Sequence, residues 1–163
     1  MYSSLLRNLI LAGLVLGLMA ASAVSVVSAP KGVRIFDKTT WAQMKRELPR
    51  PSVVVFTTTD CAYCPDVIEA LAVDVKKGQT KAKLVIVVMD GTEQPEAVAA
   101  DKHYRKGDAM YAFEGQAMAL RYSVNPDWRG MTPYVAMLGR SGEPKFVVGR
   151  PSKADVAAWL GKP

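Results

Sequence analysis

The sequence predicts an α/β domain built on a mixed sheet of four to five strands flanked by helices. Three observations lead there. Residues 53–57 form a continuous run dominated by β-branched side chains and 84–89 a fully apolar one, the pattern of strands covered on both faces. Helical segments alternate with these runs, and strand–helix–strand order builds parallel pairs. Residues 134–138 and 145–148 are joined by a short turn containing Gly139, Gly142 and Pro144, so those two strands run antiparallel.

Each element follows from local pattern. Residues 33–36 alternate weakly, as a short first strand. Asp37 to Thr40 can cap a helix on which Trp41, Met44 and Leu48 recur at helical spacing, until Pro49-Arg50-Pro51 stops it. The strand 53–57 ends at Thr58-Thr59-Asp60. A helix is expected over 65–75, with Val67, Ile68, Leu71 and Val75 on one face and Lys76-Lys77-Gly78 closing it. After the strand 84–89 and its Asp90-Gly91 stop, residues 93–121 are rich in Ala, Glu, Gln, Met and Lys. They read as a helical insertion in two pieces split near Gly107. Residues 122–124 lead into the turn-rich stretch Asn125-Pro126-Asp127-Trp128-Arg129-Gly130. The third core strand, the hairpin and a capped helix over 152–160 complete the chain.

Composition narrows the function. The chain has 163 residues, half of them hydrophobic and 22% charged, which is globular and not disordered. Two cysteines exclude a multi-disulfide scaffold and a four-cysteine zinc site within the chain, and one histidine excludes a three-histidine site. No phosphate-cradling glycine loop follows a strand. The charge of +6 comes from 21 basic and 15 acidic residues spread along the chain. The densest basic groups, Lys76–Lys77 with Lys81 and Lys83, and Lys102 with Arg105–Lys106, carry no interleaved aromatics beyond Tyr104. They read as solvated surface, so no nucleic-acid partner is expected.

The first thirty residues read as an address. Arg7 is the only charge before Lys31, and Leu9 to Met19 is an apolar core followed by Ala21-Ser22-Ala23, a cleavage pattern of small residues. Residues 1–23 are therefore expected to be a signal peptide, 24–34 a linker and 35–163 the folded domain. The competing reading is an uncleaved membrane anchor to about residue 29, long enough to span about 30 Å of hydrocarbon. Either way the domain crosses a membrane, with a periplasmic location expected, and its cysteines meet an oxidising compartment.

The chemistry lies in Cys61-Ala62-Tyr63-Cys64, placed at a strand end and a helix start. Cysteines three apart at such a turn can reach bonding distance. The positive end of the helix dipole favours a thiolate there, and the thiolate is the attacking species. Cys61 is then the better nucleophile and Cys64 the shielded resolving thiol. Two other readings remain at this level: a static disulfide, closing too small a loop to stabilise much, and a metal half-site completed by His103. Asp60 and Asp66 flank the pair; carboxylates raise a thiol pKa where the helix start lowers it. Asp60 can also serve as an N-cap. His103 reads as a solvated helix residue, with copper binding beside the cysteines as its sharper alternative. Met110 and Met118 read as core or groove residues, and Trp128 as a groove wall or a surface cover.

Residues 53–57 followed by Cys61-Ala62-Tyr63-Cys64 resemble the active-site segment of the thioredoxin superfamily. Met131-Thr132-Pro133-Tyr134 resembles that family's cis-proline loop, and residues 134–160 its ending. The resemblance spans roughly 35–160. It implies a thioredoxin-like fold, a reversible Cys61–Cys64 disulfide and a cis Pro133 packed against it, keeping stray metal from the thiols. Thr132 would offer backbone groups to an extended substrate, with Tyr63 and Pro133 beside it. Val55 stands where many cytosolic members carry a buried acid. Tyr63 and Thr132 look closer to the exported isomerases and reductases, yet residues 24–35 leave no room for a separate dimerisation domain.

The expected function is thus an exported thiol–disulfide oxidoreductase, a reductase before an oxidase. It would act as a monomer without cofactor or resident metal, on protein thiols and disulfides and with a membrane-bound redox partner. The alternative is a copper or haem-maturation thiol chaperone using the same cysteines.

Overall fold

The computed structural model describes residues 32–77 and 81–161. The leader expected over 1–23, its alternative as an anchor, the linker up to Lys31 and the helix stop at Gly78 lie outside the described residues. Six strands form one sheet: β1 (Val33–Phe36), β2 (Ser52–Thr57), β3 (Lys83–Val88), β4 (Ala109–Phe113), β5 (Tyr134–Leu138) and β6 (Lys145–Val148). Among the described residues five α-helices pack around it: α1 (Thr40–Glu47), α2 (Cys64–Lys77), α3 (Pro95–Ala100), α4 (Ala117–Val124) and α5 (Lys153–Leu160). The spatial order is β1-β4-β3-β2-β5-β6. β1, β4, β3 and β2 run parallel, whereas β5 is antiparallel to β2 and β6 to β5.

The strand β2 shows why the apolar runs are continuous. Val53 and Val55 face one core with Ile68 and Leu71 of α2 and Trp159 and Leu160 of α5. Val54 and Phe56 face the other, with Trp41 and Met44 of α1 and Leu120 and Val124 of α4. With successive side chains on opposite faces and both faces covered, the central positions 53–56 of β2 are all apolar, and the buried hydroxyls of Ser52 and Thr57 at its two ends are satisfied by the carbonyls of Pro49 and Thr58. Phe56 also lies 5.0 Å from Trp128 and 5.8 Å from Phe36, centroid to centroid, within a second core rich in aromatic rings.

The sheet has one strand more than the four to five expected. The addition, β4, lies inside the stretch 93–121 that reads as a helical insertion, and this corrects that reading. Only α3, two single 3-10 turns and the first part of α4 are helical there. Residues 109–113 hold no β-branched side chain, but β1 and β3 pair with them from both sides, and that burial outweighs local preference. A break does fall at Gly107, which ends the 3-10 turn Tyr104–Lys106, but a strand and not a second helical piece follows it; a Cβ at Gly107 would stand 2.8 Å from Cγ1 of Ile86. Residues 122–124, expected to lead into a loop, complete α4 instead. The helix expected over 65–75 starts one residue earlier, at Cys64, so Pro65 sits in its first turn, where no helical bond is lost. The final helix carries its expected cap, a reciprocal Ser152–Asp155 box.

Candidate active site

Parallel strands β2, β3 and β4 end at the same edge of the sheet, and antiparallel β5 begins there. Open α/β sheets place their sites outside such carboxyl ends. Cys61 leaves the end of β2 through Thr58-Thr59-Asp60. Two turns set its course: the Cys61 N–H donates to the Thr58 carbonyl (3.2 Å), and the Cys64 N–H to the Cys61 carbonyl (3.2 Å). Cys61 and Cys64 are joined in a disulfide, with Cα atoms 5.5 Å apart. Cys64 is fully buried as the first residue of α2, Cys61 is partly exposed, and Tyr63 between them is 78% exposed. The pair therefore sits at a helix start, where backbone N–H groups and the dipole favour negative charge on sulfur.

Thr132-Pro133 is a cis peptide, as the resemblance implies. Phe56 pairs with Tyr134, so Pro133 lies at the level of Thr57, beside the segment that carries Cys61. Pro133 is buried, and its carbonyl accepts from Gly149 N–H (2.8 Å), which ties it to β6. Thr132 is half-buried, and among the described residues its backbone groups make no hydrogen bond. An extended chain can pair with such a free backbone. A second cis bond, Arg50-Pro51, lies at the far end of β2 and has no counterpart in the sequence reading.

Two tethers to the loop before Cys61 were not legible in the sequence. Asp90, just past β3, accepts from the Thr59 N–H (3.0 Å) and from its hydroxyl (2.5 Å). Tyr104, 7% exposed, donates its phenol to the Thr58 carbonyl (3.3 Å). Burial, helped by the nearby carboxylates of Asp101, Asp90 and Asp60, raises the Tyr104 pKa above that of an ordinary phenol and keeps it a donor. The only signal was an unexplained tyrosine within a basic stretch.

The remaining candidates separate cleanly. Asp60 and Asp66 are exposed; Asp60 stands four residues before Cys64 and is not the cap of α2. The buried polar residues described are Thr40, Ser52 and Thr57, so Val55 has no acidic substitute among them. His103 Nδ1 lies 3.0 Å from Glu69 Oε1 on α2. Among the described residues no group of three or more His, Cys, Asp or Glu is placed to hold a metal ion. Met110 is a core residue of β4, and Met118 is 75% exposed on α4. Trp128 is 5% exposed, stacks on Tyr134 with centroids 4.4 Å apart, and donates its indole N–H to the Met131 carbonyl (3.0 Å). No helix among the described residues is long and apolar enough to cross a membrane.

No protein-family model and no curated protein matches the chain. Solved structures do. A thioredoxin-related protein from Neisseria meningitidis serogroup B superposes with a TM-score of 0.53 at 14% identity, covering 71% of this chain and 87% of that one. A thiol-disulfide isomerase from Corynebacterium glutamicum gives 0.51 at 17% identity, over 69% and 79%. A thioredoxin-like protein solved in its oxidized form gives 0.51 at 17% identity, over 72% and 83%. The strand order, the disulfide at the start of α2 and these superpositions together make this chain an α/β protein of thioredoxin-like fold.

Proposed function

We propose that the chain is an exported thiol–disulfide oxidoreductase that exchanges its Cys61–Cys64 pair with protein substrates. The observation that carries the reading is the placement of the disulfide at a helix start, with Cys61 half-open and Cys64 sealed, while cis Pro133 lies level with Thr57 on the strand that leads to Cys61 and the backbone of Thr132 is unpaired among the described residues. In the reduced protein the Cys61 thiolate attacks a substrate disulfide. One sulfur of the substrate leaves as a thiolate and takes a proton, and Cys61 is held in a mixed disulfide. The Cys64 thiolate then attacks Cys61 sulfur, the second substrate sulfur leaves, and two electrons have passed to the substrate. Thr132 offers its backbone to the substrate strand, with Pro133 and the exposed ring of Tyr63 beside it.

The working direction we propose is reduction, supported by the likeness of Tyr63 and Thr132 to exported reductases and isomerases. Electrons then reach the pair from a membrane-bound partner. Export rests on the apolar leader with its small-residue cleavage pattern. Insulin reduction by the reduced protein, compared with Cys61→Ser, tests the activity. Loss in the variant is expected, and equal rates overturn the reading. A potential near about −270 mV supports reduction, and one near about −120 mV reverses the direction.

A further inference from the structure

Seven large hydrophobic side chains are exposed among the described residues: Ile35, Tyr63, Val73, Met118, Tyr122, Met131 and Val148. Five lie on segments that begin or end at the sheet edge from which the disulfide segment leaves. Tyr63 lies between the cysteines, Met131 precedes Thr132-Pro133, and Val148 pairs with Tyr134. Met118 and Tyr122, one turn apart, lie on α4, which runs from the end of β4 to the loop before β5. Exposed apolar residues gathered at one place mark a contact surface, where scattered ones do not.

Met118 and Tyr122 line a groove of about 300 Å³ with Pro126, Trp128, Arg121 and Arg129. Its floor is held firmly, because Trp128 is stacked on Tyr134 and bonded to the Met131 carbonyl, while Asn125 Nδ2 donates to the Tyr134 phenol (2.7 Å). The groove is therefore formed before any partner arrives, which spares a partner the cost of ordering it. The ion pairs among the described residues are Lys83–Asp108, Glu69–His103 and Lys145–Asp155, and none engages Arg121 or Arg129. No carboxylate lines the groove. An apolar floor flanked by two unpaired guanidinium groups is complementary to an apolar side chain next to a carboxylate.

Resting on the function proposed above, we propose that this groove docks the substrate segment beside the reacting cysteine and selects an apolar residue followed by an acidic one. The wall residue Trp128 is hydrogen-bonded to Met131, next to Thr132, so groove and strand-pairing backbone are continuous. An extended chain paired at Thr132 advances about 3.3 Å per residue and reaches the groove within a few residues of its cysteine.

The test uses the reduced full chain and two synthetic peptides, each closed by one disulfide and followed by either Leu-Glu or Ser-Lys. The expected result is reduction of the Leu-Glu peptide about fivefold faster in kcat/KM, the range of one or two exposed charge contacts. That preference should vanish in the double variant R121Q/R129Q. It should also shrink in the unaltered protein when salt rises from about 0.05 M to about 0.5 M, a readout that needs no variant. Equal rates for the two peptides overturn the docking site and leave the oxidoreductase reading standing. Reduction of neither peptide overturns that reading and the docking site with it. A preference for Ser-Lys, or a dimer in sedimentation that Met118→Lys dissociates, overturns the proposed occupant.

Discussion

The Tyr104 phenol meets the Thr58 carbonyl at 3.3 Å across 46 residues of sequence, and the same carbonyl accepts the N–H of Cys61. A residue between α3 and β4 thereby steadies the peptide from which the reactive sulfur hangs. Thr58 keeps two further donors, the Thr57 hydroxyl (3.1 Å) and the Cys61 N–H (3.2 Å), so losing the phenol does not orphan it. Tyr104→Phe should therefore cost only the bond itself, about 1 kcal/mol in denaturant unfolding. With the loop looser, Cys61 samples positions away from the helix start. Its alkylation at neutral pH should slow about two- to fivefold, the worth of a helix-terminus charge interaction. Unchanged stability and alkylation would show that the contact does not steady the site.

The burial difference between the two cysteines gives a second expectation. Cys64 has no exposed surface and Cys61 has some, so an incoming disulfide meets Cys61 first. Cys64→Ser should accumulate a mixed disulfide with insulin, visible on a non-reducing gel and released by dithiothreitol. Steady-state reduction should fall by more than about 100-fold, because resolution then waits for external thiol. Cys61→Ser should trap nothing. Trapping by Cys61→Ser in place of Cys64→Ser would exchange the roles.

What could be read in the sequence depended on how local the cause was. β2 and β3 announce themselves because both their faces are buried, which selects apolar and mostly β-branched side chains over 53–56 and 84–88. The cysteine pair was legible because its placement at a strand end is a local fact. β4 was not, because Ala109, Met110 and Ala112 suit a helix and only pairing with β1 and β3 makes them a strand. The alternation of Tyr111 and Phe113 was the one local sign. The ties from Asp90 and Tyr104 depend on contacts 31 and 46 residues away, and sequence spacing carries no trace of them. Pro133 could be singled out only by family resemblance, since nothing in Met131-Thr132 itself distinguishes a cis from a trans bond.

Acid should weaken the fold at the entry to α1. One Asp37 carboxylate oxygen accepts from the backbone N–H and hydroxyl groups of both Thr39 and Thr40 at 2.8–3.0 Å. The Thr39 side chain and backbone do most to lower the carboxyl from 3.8 to about 2. The folded state thus prefers the ionised form, and the stability it brings is complete above pH 4 and drains away as pH falls toward 2. Asp37→Asn lacks that titration. Its denaturation midpoint should lie below that of the unaltered protein at pH 6, and the gap should close by pH 2. A gap independent of pH would show that the carboxylate charge is not what holds this turn.

The two loop tethers should prove coupled. Asp90 holds Thr59 and Tyr104 holds Thr58, so each restrains one of two adjacent peptides ahead of Cys61. Once either is cut, the short segment moves, and the other tether has less ordered structure to hold. In a double-mutant cycle of Asp90→Ala and Tyr104→Phe, the double variant should therefore lose less than the sum of the two single losses, by about 0.5 kcal/mol or more. Cys61 alkylation should follow the same pattern, the second substitution adding little to the first. Losses that add to within about 0.3 kcal/mol would show the two residues acting on separate parts of the fold. In that event only Tyr104, whose hydrogen bond shares its acceptor with the Cys61 N–H, would remain as a support of the reactive sulfur.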